Sequence, residues 1–273
     1  MTVLNEQQIE RYRRDGYLIF ETGIPTTMLD GAVADIAEYW EQKKLRSSSH
    51  IDDGRLQDGW LVSENIKNIA TFPSVLSALQ VLYDRKPLPF QTLNFPRGTE
   101  QKVHADNVHF NSEPFGFMCG VWIALEDIGP DQGPLVYYPG SHKLPEMNFE
   151  EFGLEADYAN YPQYEARIEN LIIERRFTPE YGIVKKGSAI VWAANLLHGG
   201  SPQRDKSLSR HSQVTHYFFE DGKYWRPGYS RKARHYFDPM WIPCAENRVP
   251  ARGLRRIKHA LQTGVTKYRL LKK

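Results

Sequence analysis

Two histidines and one aspartate in this sequence have the types and spacing of metal ligands. His104 and Asp106 are separated by one residue, so on a strand both side chains would point to the same face and could chelate one ion. His198 follows the apolar segment 189–194 and precedes two glycines, which predicts a position at the mouth of a strand. Two imidazoles and one carboxylate on one face leave coordination positions open, as non-haem Fe(II) oxygenases require.

Arg210 adds a residue type that binds carboxylates. It lies twelve positions after His198, at the predicted start of a strand, and Ser212 shares its strand face. A guanidinium group with a hydroxyl beside it suits the distal carboxylate of a keto-diacid. The alternative for Arg210 is an ordinary ion pair at a strand end, and a His-x-Asp pair alone is more often a surface pair than a metal site. The prediction therefore depends on the four residues occurring together.

The N-terminal part of the chain is predicted to be helical. Asn5 and Gln8 form a capping-box pattern at the start of the first helix, and Gly16 ends it. The further elements predicted before residue 90 are a strand over 17–20, helices over roughly 27–44 and 74–84, and a loop over 46–59.

From about residue 90 the pattern changes to short strands separated by turn-forming residues. Few helices of convincing length lie between them, which favours an antiparallel jelly roll or barrel over a parallel α/β sheet. The predicted fold is therefore mainly β, with the N-terminal helices covering one sheet. The segment 145–178 is predicted to be either helical or a long loop. The candidate strands are 90–95, 101–106, 117–126, 134–138, 181–184, 188–193 and 210–219.

Composition predicts one soluble domain over residues 1–245. Hydrophobic residues make up 41% and charged residues 25% of the 273 positions, which is average for globular proteins, so the chain can bury a core. We expect no export signal and no membrane span, because no stretch approaches about 20 apolar residues. Cys119 and Cys244 lack the spacing of a redox or zinc motif, which favours a cytoplasmic location.

The C-terminal segment 246–273 is predicted to be a basic helix or tail. Residues 248–273 carry nine Lys and Arg side chains and no Asp or Glu, whereas the rest of the chain has 26 basic and 33 acidic residues. Such a tail could contact an acidic partner or surface, and a solvated helix packing on the body is the simpler alternative. We expect no nucleic-acid binding.

The sequence resembles the phytanoyl-CoA dioxygenase family of Fe(II)/2-oxoglutarate-dependent oxygenases. The resemblance runs from segments 4–9 and 15–17, through His104-Ala105-Asp106, to about residue 219. Its most specific motifs are Trp122-Ile123-Ala124-Leu125-Glu126-Asp127-Ile128-Gly129, Gln132-Gly133-Pro134-Leu135 and Pro139-Gly140-Ser141-His142-Lys143.

This resemblance implies a double-stranded β-helix, iron bound by His104, Asp106 and His198, and 2-oxoglutarate held by Arg210. O2 would be the other co-substrate, and the products would be succinate, CO2 and an oxidised small organic metabolite. Trp122 resembles a residue that lines the co-substrate site, although a buried Trp is as often a core residue.

Three further side chains are candidates for the same site. Asn94 and Gln101 could hydrogen-bond the co-substrate, or could satisfy backbone groups at strand ends. His216 shares strand parity with Arg210 and is predicted to face the site. For His142, in a Pro-Gly-Ser turn, a structural hydrogen bond is expected.

The carboxylate at Asp106 favours hydroxylation, desaturation or ring closure over halogenation, because halogenating relatives have Gly or Ala at that place. The two alternatives to an oxygenase are a non-catalytic jelly-roll binding protein and, less favoured, a metal-dependent hydrolase or isomerase, which would leave Arg210 without a role. Segments rich in aromatic residues are expected to line the substrate site and suit a bulky or planar molecule: 46–65, 107–116, 145–178 and 220–245.

Overall fold

The computed structural model of the protein describes residues 4–46 and 54–244. Within these ranges the α-helices are α1 Glu6–Asp15, α2 Thr26–Arg46, α3 Glu64–Ala70, α4 Pro73–Tyr83 and α5 Tyr161–Arg175. The strands are β1 Tyr17–Glu21, β2 Leu56–Gln57, β3 Pro87–Phe95, β4 Asn111–Glu113, β5 Met118–Ala124, β6 Leu135–Tyr137, β7 Glu180–Tyr181, β8 Ser188–Ala193, β9 His198–Gly200, β10 Ser212–Phe219 and β11 Lys223–Trp225.

The first helix forms as its sequence predicts. The Asn5 side chain accepts a hydrogen bond from the backbone of Gln8, and the Gln8 side chain accepts one from the backbone of Asn5. At the other end Gly16 adopts a φ of 83°, in the left-handed region that glycine enters without steric cost. The chain then enters β1 directly, so α1 is fixed beside the sheet.

Two antiparallel sheets face each other and form the jelly roll. The larger sheet has the order β1-β8-β5-β10-β3-β2, and the smaller has the order β7-β6-β9. Side chains from both sheets, including Trp122, Trp192 and Val214 of the larger and Leu135 and Tyr137 of the smaller, meet in one buried cluster. The antiparallel jelly-roll prediction is confirmed.

The opposite face of the larger sheet is covered by α2, α3 and α4. Strand parity places Val121 and Val191 on this face, where they pack in the same core as Leu29, Ile66 and Leu79 of the helices. The predicted helical cover over one sheet is therefore confirmed. No helix in residues 4–46 and 54–244 is long and apolar enough to cross a membrane.

Several predicted boundaries differ from the structure. The strand predicted over 101–106 is wrong, because only His104 makes a bridge there and Asp106 begins a short 3-10 turn. Helix α3 was not predicted, and the predicted loop 46–59 contains strand β2. Segment 145–178 contains both of the predicted alternatives, since irregular chain leads into α5. Residues 47–53 and the basic segment 246–273 lie outside the described residues.

Candidate metal centre

His104 and His198 are brought together by the backbone. The His104 amide donates to the His198 carbonyl over 2.9 Å, and the His198 amide donates to the His104 carbonyl over 3.0 Å. In such a mutual antiparallel pair both side chains project on the same side. The two imidazole centroids are consequently 4.6 Å apart. His198 occupies the first position of β9, at the edge of the smaller sheet.

Asp106 completes the group from the turn that follows His104. Its Oδ1 atom lies 3.6 Å from the Nε2 atom of His104 and 3.6 Å from the Nε2 atom of His198. One ligand atom from each of the three residues falls within 4.8 Å of the other two, and all three residues are buried. The predicted proximity of His104 and Asp106 is therefore correct, although a 3-10 turn and not a strand produces it.

Hydrogen bonds on the outer side of the three ligands determine which of their atoms face the metal site. The Nδ1 atom of His104 lies 2.9 Å from the Lys102 carbonyl, and the Nδ1 atom of His198 lies 3.0 Å from the Leu196 carbonyl. A carbonyl only accepts, so each Nδ1 carries the hydrogen and each Nε2 presents its lone pair inward. The Nε1 atom of Trp192 donates to the Oδ2 atom of Asp106 over 2.7 Å, which directs Oδ1 toward the imidazoles.

The protonation states suit metal binding. Burial would raise the pKa of the Asp106 carboxyl, but the surrounding imidazoles, led by that of His198, outweigh burial and hold this pKa well below its usual range. Burial lowers the pKa of His198 to about 4, against the opposing effect of Asp106. Near neutral pH the site therefore offers a carboxylate and a neutral His198 imidazole. Two nitrogen donors and one oxygen donor on one side of a cavity fit Fe(II) and leave coordination positions for further ligands.

Next to these ligands lies a group of buried donors without acceptors. Arg210 is only 3% exposed, and burial lowers the pKa of its guanidinium to about 10. Among the residues that the structure describes, the Nε atom of Arg210, the Oγ atom of Ser212 and the Nε1 atom of Trp122 have no hydrogen-bond partner. The guanidinium carbon lies 5.8 Å from the Trp122 ring. Buried donors left unpaired cost free energy, so this cluster is suited to an anionic ligand.

Gln101 and Asn94, the two amide candidates for contact with the co-substrate, lie in different places. Gln101 lines the cavity, and its Nε2 atom lies 3.3 Å from the Nε2 atom of His104. Of the two alternatives for Asn94, the co-substrate contact is the one that the structure disfavours, because alternate residues of β3, among them Leu93 and Phe95, face the cavity and Asn94 faces the helices. There its side chain donates to the Oε1 atom of Gln213 over 3.1 Å.

The predictions that His216 faces the site and that His142 has a structural role are both confirmed. His216 faces the site, with its Nε2 atom 3.6 Å from the Oδ2 atom of Asp106 and its Nδ1 atom 2.9 Å from the Oε1 atom of Gln91. His142 has a structural contact, since its Nε2 atom lies 3.2 Å from the Arg13 carbonyl.

A cavity of about 260 Å³ opens beside the ligands. Each of the four segments expected to line a substrate site contributes to its wall, with Arg55, Phe110, Tyr158 and Arg226 as examples. His109 is a further lining residue, and its ring lies 5.7 Å from that of His104. No spacing rule would have selected His109, since a turn and not a regular strand brings it inward.

Trp192 was also missed as a site residue, although strand parity with Ile190 could have indicated that it points inward. Its indole has room because Gly120 lies opposite it on β5. A Cβ atom at Gly120 would come within 2.3 Å of the Trp192 ring. The missing side chain at position 120 thus allows the hydrogen bond that orients Asp106.

We expect Trp192→Phe to weaken Fe(II) binding by about 10-fold to 100-fold, because the bond that orients Asp106 is lost while the ring is kept. Competition with a coloured chelator under anaerobic conditions measures this affinity. Trp60→Phe is the matched control, since Trp60 is equally buried but belongs to the core under the helices. Equal Fe(II) affinity in the two variants would show that the Trp192 contact does not tune the metal site.

Comparison with known proteins gives one family and one fold. A family model described as phytanoyl-CoA dioxygenase matches residues 12–212. A zebrafish (Danio rerio) protein named phytanoyl-CoA dioxygenase domain-containing protein 1 is 28% identical over 142 residues, covering 48% of this chain and 43% of that protein. A probable phytanoyl-CoA dioxygenase of Caenorhabditis elegans is 22% identical over 254 residues, covering 81% of this chain and 77% of that protein. The match thus spans less than half of the zebrafish relative's length.

Two solved structures are similar in fold. The non-haem α-ketoglutarate-dependent carbocyclase SnoK of nogalamycin biosynthesis superposes with a TM-score of 0.64 at 18% identity, covering 86% of this chain and 93% of that one. The epimerase SnoN of the same biosynthesis gives a TM-score of 0.63 at 19% identity, covering 82% and 86%. These likenesses show that the chain has the fold of these enzymes, in agreement with the expected double-stranded β-helix.

Proposed function

Because the chain belongs to the phytanoyl-CoA dioxygenase family, we propose that it is a non-haem Fe(II)- and 2-oxoglutarate-dependent oxygenase that oxidises a small organic metabolite. One observation carries the proposal, namely that His104, Asp106 and His198 converge beside a buried Arg210 whose Nε atom has no acceptor among the described residues. A metal-dependent hydrolase would have no use for such a guanidinium, whereas a keto-diacid needs one.

In this function His104, Asp106 and His198 hold the iron, which together with 2-oxoglutarate and O2 supplies the oxidising chemistry. Arg210 binds the distal carboxylate of 2-oxoglutarate. The Ser212 hydroxyl donates a second hydrogen bond to it, which is supported by its lack of a hydrogen-bond partner among the described residues. Both donors are buried before the co-substrate arrives, so binding satisfies them at little cost in side-chain ordering.

Other residues of the chain prepare the site for the reaction. The Trp192 indole keeps the Asp106 carboxylate oriented. The apolar side chains of Leu93, Phe95 and Val214 line the same cavity and exclude water from it. Positioning and exclusion of water are thus the protein's contribution, since the oxidising power belongs to the bound group.

We propose hydroxylation of a C–H bond as the reaction, with desaturation or ring closure as variants of the same chemistry. The carboxylate of Asp106 occupies the place that a halide would need, which disfavours halogenation. Two proteins of this fold are named an epimerase and a carbocyclase, so the fold accommodates more than one outcome at such a site.

Anaerobic titration of the metal-free protein with Fe(II) and 2-oxoglutarate tests the proposal. We expect a weak visible charge-transfer band from the chelated keto acid in the wild type. The band should be absent in His198→Ala and weakened in Arg210→Ala, but retained in His235→Ala, a control at an exposed histidine outside the cavity. A folded wild-type protein without the band would reject the proposal and favour a non-catalytic binding protein.

A further inference from the structure

Arg226 is one of three arginines, with Arg55 and Arg210, that line the cavity beside the metal ligands. Its guanidinium carbon lies 5.0 Å from the centroid of the Phe110 ring and 4.9 Å from that of Tyr229. Arg210, by contrast, lies against Phe95 and Trp122. The two arginines therefore contact different rings and serve different parts of the cavity wall.

Neighbouring arginines of the same segment are neutralised by acids, and Arg226 is not. Arg231 pairs with Asp157, and Arg234 pairs with Glu113. The Nε atom of Arg226, however, is buried and has no hydrogen-bond partner among residues 4–46 and 54–244. Partial burial of a guanidinium whose Nε–H group has no acceptor is unfavourable, unless a ligand supplies the acceptor.

The polar neighbours of Arg226 are uncharged donors. The Tyr158 hydroxyl is close enough to interact electrostatically with the guanidinium, and it lies 3.2 Å from the Nδ1 atom of His109. Burial raises the pKa of Tyr158 to about 12, so this phenol is neutral near neutral pH. Arg226 therefore brings one positive charge to this end of the cavity, with a phenol beside it that can donate to the same acceptor.

The balance of charges in the cavity leaves Arg226 available to bind the substrate. Of the described residues that line the cavity, Asp106 is the one carboxylate, and it is committed to the metal. In the proposed function the charges of the iron and Arg210 are balanced by Asp106 together with the two carboxylates of 2-oxoglutarate. Arg226 then still lacks a counter-charge, and the planar fork of a guanidinium matches the two oxygens of a carboxylate.

We propose that the substrate is an organic monocarboxylate and that Arg226, with the Tyr158 hydroxyl, binds its carboxylate and determines specificity for it. The inference rests on the proposed function and names the substrate class of the same site. The guanidinium of Arg226 carries one positive charge, which matches the single charge of a carboxylate better than the double charge of a phosphate. The rings of Phe110 and Phe237 beside Arg226 suit an apolar hydrocarbon or aryl body attached to that carboxylate.

The test uses the full-length protein loaded with Fe(II) and 2-oxoglutarate under anaerobic conditions, so that no substrate is turned over. Isothermal titration calorimetry measures the binding of alkanoates from butanoate to decanoate and of phenylalkanoates, each beside its primary amide and its phosphonate analogue. The variants are Arg226→Gln and, as the matched control, Arg234→Gln, an arginine of the same segment outside the cavity wall. The charge-transfer band reports in every sample whether the iron site is assembled.

We expect at least one carboxylate to bind the loaded wild type about 10-fold to 100-fold more tightly than its amide, as a charge-assisted hydrogen bond predicts. This preference should disappear in Arg226→Gln and persist in Arg234→Gln. A band-positive wild type without any carboxylate preference, or a preference that survives in Arg226→Gln, would overturn the inference alone. Tighter binding of a phosphonate would overturn the choice of carboxylate. A wild type without the band would instead reject the proposed function and this inference with it.

Discussion

Asp106→Ala protein is expected to lose oxidation of the substrate completely and to bind Fe(II) at least about 100-fold more weakly than the wild type. The substitution removes the one anionic ligand that the site offers, so two neutral imidazoles would face an unneutralised cation. Fe(II) affinity is measured by competition with a chelator, and oxidation by formation of succinate. Full activity in this variant would remove Asp106 from the ligand set.

A second variant separates loss of the ligand from loss of the fold. Asp106→Asn keeps the shape of the side chain and an oxygen that can accept from the Trp192 indole, but lacks the charge. We expect it to be as inactive as Asp106→Ala while its circular dichroism stays that of the wild type. Asp131→Asn, at an exposed aspartate that pairs with Arg204 over 4.0 Å, is the matched control and should keep full activity.

Arg210→Met is expected to weaken 2-oxoglutarate binding by about 100-fold or more, and at the same time to stabilise the unloaded protein by about 1–3 kcal/mol. Methionine fills much of the space of the buried arginine stem without burying a charge. In the unloaded protein the guanidinium is desolvated and its Nε atom is unpaired among the described residues, so removing it relieves a cost. The Kd of 2-oxoglutarate and the midpoint of urea unfolding measure the two effects.

The opposite signs of these two effects make the Arg210 prediction specific. A structural arginine in an ion pair would lower stability when replaced, whereas a ligand-binding arginine without a partner raises it. Arg204→Met, at a largely exposed arginine, should change neither quantity. Unchanged 2-oxoglutarate affinity in Arg210→Met, or a clear loss of stability in the unloaded variant, would contradict the assignment.

The parts of the fold that follow from local pattern could be predicted from the sequence. Asn5, Gln8 and Gly16 delimit α1 through their own hydrogen bonds and backbone geometry, so no tertiary information is needed. Strands β3, β5, β6, β8 and β10 follow from alternation and turn residues, whereas β4 and β9 are not predicted. His216 facing the site follows in the same way, because parity along a regular strand is fixed.

The errors arise where tertiary contacts decide the local conformation. Segment 101–106 has a sequence compatible with a strand, but only His104 finds a backbone partner, and a turn after it directs Asp106 inward. Asn94 is a candidate by residue type alone, and the alternation of β3 turns its side chain toward the helices. Arg231 and Arg234 pair with acids, whereas the Nε atom of Arg226 has no partner among the described residues. No spacing along the chain indicates which of these arginines is left unpaired.

The mutual backbone pairing of His104 and His198 also determines when the centre can assemble. The two residues are 94 positions apart in the chain, so their pairing requires closure of a long loop and belongs to the slow, non-local part of folding. Of the three ligands, only His104 and Asp106 are neighbours in an unfolded or newly made chain. Chelation by all three ligands begins only after the sheets have come together, so the complete metal site is a property of the folded chain.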